Sequence, residues 1–153
     1  MKINAKDFKN IIFDLGGVIV NIDYSLTTKE FAKLGIADFN SLFSQAKQNQ
    51  LFDSYEKGII TSAELRDEMR KYLGNHIDDA TIDNAWNAML LDVPKERLQL
   101  LEKTKSNYNT FLLSNTNDIH IETFILNWPR EHNINDLSNH VHKLNLSYKG
   151  GMR

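Results

Sequence analysis

Lys9-Asn10-Ile11-Ile12-Phe13-Asp14-Leu15-Gly16-Gly17-Val18 is the stretch that decides the fold. Ile11, Ile12 and Phe13 are β-branched or aromatic and read as a short buried strand. A buried parallel strand has no place for an Asp in its middle. It can carry one at its C-terminal end, where open α/β sheets hold their ligands. Gly16 and Gly17 let the backbone turn sharply and approach an anion closely. A carboxylate held this way can act as a nucleophile or a metal ligand. The same pattern also suits an Asp that only caps a turn.

Working outward, a second strand is expected at Tyr108-Asn109-Thr110-Phe111-Leu112-Leu113, and a weaker third near Asn139-His140-Val141-His142-Lys143-Leu144. Most of residues 15–107 read as helix. Thr27-Thr28-Lys29-Glu30 and Thr61-Ser62-Ala63-Glu64 both fit the capping box that opens a helix. The latter leads into Leu65, Met69, Tyr72 and Leu73, spaced for one apolar face and bracketed by the breaks Gly58 and Gly74. Ile82, Trp86, Met89 and Leu90 form another apolar stripe, read as core. Pro94 suits the first turn of a helix carrying Leu98, Leu100 and Leu101. The layout predicts an α/β fold: a parallel sheet built from residues 1–19 and 93–153, with residues 20–92 inserted as a small helical cap.

Composition excludes several classes. The 153 residues are 41% hydrophobic and 25% charged, with a formal net charge of -2. That balance carries no nucleic-acid footprint. There is no cysteine, hence no disulfide or thiolate chemistry. No apolar run approaches the roughly 18 residues of a membrane span, and Met1–Asp7 has no signal-peptide apolar region. A cytoplasmic protein without nucleic-acid or membrane partners is expected.

The second strand repeats the logic of the first. Leu112-Leu113 ends in Ser114-Asn115-Thr116-Asn117-Asp118, a tip of small polar residues. A Ser hydroxyl and the amides after it can hold phosphate oxygens, and a helix starting near Asp118 adds potential favourable to an anion. Each of these residue types is also an ordinary helix cap.

Together, in this order and around a helical insertion, the two motifs resemble those of the haloacid dehalogenase superfamily of hydrolases. The likeness runs through Ile12-Phe13-Asp14-Leu15-Gly16-Gly17-Val18-Ile19-Val20 and Leu112-Leu113-Ser114-Asn115-Thr116. Asp-Leu-Gly followed by Ser-Asn-Thr is similar to the subgroup of bacterial α-glucose-1-phosphate phosphatases. The resemblance implies a Rossmann-like core and a Mg²⁺-dependent phosphomonoesterase of small phosphorylated metabolites, sugar phosphates among them. In that reading Asp14 is the nucleophile that forms an aspartyl-phosphate. Asp14 and the Gly16 carbonyl are metal ligands. Leu15, Ser114 and Asn115 hold the phosphoryl oxygens.

The family pattern also has parts that this chain does not match. Its second Asp, a general acid, is replaced here by Gly16; Asp23 is a candidate substitute. Its third-motif Lys would follow Arg153, and the acidic pair that completes the metal site would lie further on. Lys149 is a candidate replacement for that Lys. The expectation is therefore of an inactive or weak catalyst in this form. Its first strand should present an open apolar edge that invites self-association. Two other functions fit the same motifs: a degenerate, non-catalytic domain acting through protein association, and a dehalogenase in which Asp14 attacks carbon without Mg²⁺.

Among other residues, His140 and His142 would share one face of the third strand, as a zinc pair would. His76, His120 and His132 are expected at the surface. Asp78, Asp79 and Asp83 read as a helix-start cluster, and Trp128-Pro129-Arg130 as a loop after a helix with Trp128 buried.

Overall fold

The computed structural model describes residues 7–36, 38, 39, 41, 50–132 and 137–151, with backbone alone for 126–132. Strand β1 is Asn10–Phe13. The helices α1 (Tyr24–Lys33), α2 (Leu51–Glu56), α3 (Ser62–Leu73) and α4 (Asp79–Asn87) follow. Then come α5 (Lys95–Lys105), β2 (Asn109–Ser114) and α6 (Asp118–His132). A 3₁₀ turn at Leu137–His140, β3 (Lys143–Leu146) and a last turn of helix, α7 (Ser147–Gly150), complete the described chain.

The sheet has the order β1-β2-β3 and is parallel throughout. Phe13 pairs with Leu112 and Ser114 with Leu146, so the C-terminal ends of all three strands lie together. This is the α/β arrangement expected from the first strand. Because the strands are laid down in sequence order, right-handed crossovers put their helices on one face. Leu112 on that face is fully buried, with Leu98 and Leu101 of α5 and Ile121 and Phe124 of α6 in the same apolar cluster. Among the described residues nothing covers the opposite face: Ile12 is 66% exposed and Leu113 55%. β1 is an edge strand among the described residues, as expected.

A second apolar cluster forms among the helices between β1 and α5. Phe31, Phe52, Tyr55, Leu65, Met69, Leu73, Ile82 and Trp86 build it, and Ile119 at the start of α6 joins it. The chain enters and leaves this layer through two paired connectors. Asn21 donates to Asp92 through both its backbone N–H and its Nδ2, each at 2.9 Å, Asp23 N–H donates to the Met89 carbonyl, and Ile22 bridges Leu90 antiparallel.

Several local expectations hold. Thr61 and Glu64 form the full capping box of α3. Asp78 caps α4, while Arg66 pairs with Asp83 and Arg70 with Asp79. Pro94 is one residue off its expected place in the first turn: it is the N-cap immediately before α5.

Others are corrected. Helix α1 starts a turn earlier than the Thr27 box, because Asp23 captures the Ser25 amide at 2.9 Å. Thr27 is instead buried inside α1, its hydroxyl bound to the Trp86 carbonyl and the Met89 amide. The third strand begins at Lys143. Leu137 and Val141, four apart, both enter the core, and that helical spacing curls His140 into the 3₁₀ turn. α6 continues through Trp128-Pro129-Arg130, so these residues are helix, not loop. The burial of Trp128 and the placement of the His132 side chain lie outside the described residues.

Candidate active site

Asp14 immediately follows β1 and stays accessible, while Leu15, Ile19 and Val20 drop into the core and anchor the turn behind it. The turn closes on itself. Ile19 and Val20 amides both donate to the Leu15 carbonyl, at 2.8 and 2.9 Å, and Gly17 N–H donates to the Val20 carbonyl at 2.8 Å. Gly17 has φ +73°, which only glycine adopts without strain. The Leu15 amide donates to Asp14 Oδ1 at 2.7 Å and orients the carboxylate. Among the described residues, Asp14 Oδ2 and the Gly16 carbonyl accept no hydrogen bond. These are two hard oxygen donors on one turn, of the kind a hydrated divalent cation takes.

At the neighbouring tip Ser114 is buried and Asn115 exposed. The next residue is clamped: Ser147 Oγ accepts from the Thr116 amide and donates to the Thr116 carbonyl, each at 3.1 Å. Asn117 then caps α6, its Oδ1 accepting from the His120 amide at 3.0 Å. The positive end of a 15-residue helix thus opens beside the two tips.

Asp14, Leu15, Gly16, Ser114 and Asn115 all line one cavity of about 590 Å³. The volume suits a small metabolite. Its far wall comes from the helical layer and the start of α6: Thr27, Phe39, Glu56, Trp86, Met89 and His120. Tyr55 ties this wall to the α6 N-terminus, its hydroxyl accepting from the Ile119 amide at 3.2 Å and bonding Ser62 at 2.9 Å. Gly58 touches α7 so closely that a Cβ there would stand 2.3 Å from the Tyr148 carbonyl oxygen.

His120 is the main residue misread from sequence. It was expected at the surface, yet it is a wall of the cavity. Its ring stacks on Trp86 at 5.4 Å, and Trp86 stacks on Phe52 at 5.0 Å. Its Nδ1 lies 2.7 Å from Asn87 Oδ1, and Asn87 Nδ2 donates to Thr123 Oγ1 at 2.8 Å. Burial pushes the His120 pKa down to about 4. The available signal was its position, on the first turn of a helix that opens at a strand tip.

The remaining candidates are elsewhere. Asp23 does not line the cavity; hydrogen bonds from Ser25 hold its carboxyl below the usual range, which opposes a role as proton donor. Lys149 is exposed, its Nζ 5.7 Å from the centre of the Tyr148 ring, and does not line the cavity. His140 is buried near Glu102, at 3.6 Å, whereas His142 bonds Thr110, so they form no pair. No cluster of three metal-type side chains occurs among the described residues. His76 is exposed, as expected.

No family model matches the chain. Individual relatives do define its class: the chain belongs to the haloacid dehalogenase family of hydrolases. D-ribitol-5-phosphate phosphatase of Bacteroides thetaiotaomicron is 31% identical over 147 residues, covering 94% of this chain and 69% of that protein. The crystal structure of a haloacid dehalogenase family enzyme from the same organism, in complex with magnesium, superposes with a TM-score of 0.85 at 38% identity. The match covers 95% of this chain and 70% of that one. A predicted hydrolase of the family from Porphyromonas gingivalis gives a TM-score of 0.81 at 25% identity, over 95% of this chain and 69% of its own.

Proposed function

We propose that this hydrolase is a magnesium-dependent phosphomonoesterase of small polyhydroxy phosphates. The class includes the sugar phosphates of the α-glucose-1-phosphate phosphatase subgroup and the sugar-alcohol phosphate that the Bacteroides relative's name carries. The observation that supports it best is the shared cavity at the tips of β1 and β2, where Asp14 stands with Ser114 and Asn115. In this reading the Asp14 carboxylate attacks phosphorus, the bond to the alcohol oxygen breaks, and water then hydrolyses the aspartyl-phosphate to orthophosphate. The Asn115 amide and the Ser114 hydroxyl hold the transferring oxygens, and the Leu15 amide, which donates to Asp14 Oδ1 in the free protein, turns to them when phosphate binds. Gly16 has no proton to give, so the leaving oxygen takes its proton from solvent.

Asp14 Oδ2 and the Gly16 carbonyl would hold Mg²⁺, which offsets the repulsion between carboxylate and phosphate when bound. These are the two donors the described residues offer there, and a Mg²⁺ ion held by them would keep several waters. Residues 20–92 act as the cap, and 1–19 with 93–153 as the core; the two separate apolar clusters support that division. No helix among the described residues is long and apolar enough to cross a membrane. The absence of cysteine suits a reducing compartment, and a cytoplasmic location is part of the proposal.

The test is phosphate release from ribitol 5-phosphate and glucose 1-phosphate in Mg²⁺. Turnover is expected to vanish in Asp14→Asn and in chelator. Turnover that survives Asp14→Asn would overturn the mechanism, and dechlorination of 2-chloropropionate without Mg²⁺ would favour a dehalogenase. A second reading, self-association through β1, draws on its place at the edge of the sheet among the described residues, with Ile12 exposed. Sedimentation showing a monomer at high concentration would remove it.

A further inference from the structure

The lining of the cavity has a distinct charge pattern. Among the described residues that line the cavity there is no Lys or Arg. The polar group at the junction of α6 and the helical layer is His120, and three contacts fix it. Its ring lies parallel to Trp86, within 3°. Its amide is held by Asn117 Oδ1, and its Nδ1 faces Asn87 Oδ1.

Asn87 turns its oxygen toward the ring because its Nδ2 donates to Thr123. A carbonyl oxygen only accepts, so Nδ1 carries the proton. Nε2 is then an unprotonated acceptor, and it has no hydrogen-bond partner among the described residues. Burial keeps the ring neutral at pH 7. Orienting the group before a ligand arrives removes an ordering cost from binding.

We infer that His120 is a specificity residue whose Nε2 accepts a hydrogen bond from a hydroxyl of the substrate's alcohol part, which restricts substrates to monophosphates of uncharged polyhydroxy compounds. Bisphosphates and phosphorylated carboxylic acids are disfavoured, because an unprotonated acceptor offers no proton to their second charge. The inference rests on the phosphomonoesterase reading and narrows it.

The experiment uses the Asp14→Asn chain in Mg²⁺, so that ligands survive. Binding of ribitol 5-phosphate and of methyl phosphate, which has no hydroxyl, is followed by NMR at the Leu15 and Asn115 amides and at the His120 ring nitrogens. The expected resting ring is the Nδ1–H tautomer, and ribitol 5-phosphate but not methyl phosphate shifts Nε2. In His120→Phe, which keeps the stack on Trp86, the affinity ratio of ribitol 5-phosphate to methyl phosphate falls about tenfold. An Nε2–H tautomer, or equal loss for both ligands, would overturn the inference while leaving the phosphatase reading intact. Asn87→Asp is the second variant. Its carboxylate favours the charged imidazolium, turning Nε2 into a donor, so affinity should fall for ribitol 5-phosphate and rise for 3-phosphoglycerate; no change in either sinks the idea. If neither ligand moves the Leu15 and Asn115 amides, the phosphatase reading itself fails and this inference with it.

Discussion

The two ends of the cavity are built by different means. At the strand tips, Asp14 to Gly17 and Ser114 to Asn117 are two unbroken segments, and backbone groups do most of the holding. At the far wall the parts come from distant places: His120 meets Asn87 across 33 positions, and Thr27 meets Trp86 across 59. The tip end follows local rules of strand, glycine turn and helix cap. The wall end exists only when α1, α4 and α6 are packed together. The backbone frame of the tips depends little on the side chains around it, apart from Asp14 and Ser114 themselves, whereas the wall is made of side chains and changes with single substitutions.

Breaking the tip end should have the largest effect. Asp14→Asn is expected to reduce phosphomonoester turnover by about a thousandfold or more while thermal unfolding stays unchanged. A loss below tenfold would mean that the two ends do not divide the labour as described. At the wall end, Trp86→Ala removes a buried ring held between Phe52 and His120, and should cost about 3 to 5 kcal/mol in denaturant unfolding. A cost below about 1 kcal/mol would show that the stack is not what assembles the wall.

The pH dependence sharpens the contrast. The His120 ring titrates near 6.5 when unfolded and about 4 when folded. Between those values the unfolded chain binds a proton that the folded chain refuses. Stability should therefore fall as pH drops from 6.5 toward 4, by about 3 kcal/mol at most, and stay flat above 6.5 as far as this group is concerned. In His120→Phe that part of the slope should be absent; an unchanged slope would place the titration elsewhere. Thr61→Ala, away from both ends, should lose the α3 capping box at about 1 kcal/mol and leave ligand affinities alone.

Much of the fold was legible because its signals are local. The apolar run Ile11 to Phe13 with a carboxylate at its end, the repeat of that logic at Leu112 to Ser114, and the Thr61 box each involve neighbours in the chain. The misreadings share a cause. Thr27 looked like a cap, His140 like a strand residue and His120 like a surface residue because their partners are Trp86, the Leu137–Val141 turn and Asn87, none of which adjacency reveals.

Periodicity and turn chemistry act over a few positions, and from them the sequence specified the first two parallel strands, their order and the residues Asp14 and Ser114 at their tips. Only the tertiary structure decided which side chains face those tips. It brought His120 onto Trp86, turned the Asn87 oxygen to its ring and clamped Thr116 with Ser147. Those contacts join residues from separate elements, and no local preference specifies them until the two apolar clusters have packed.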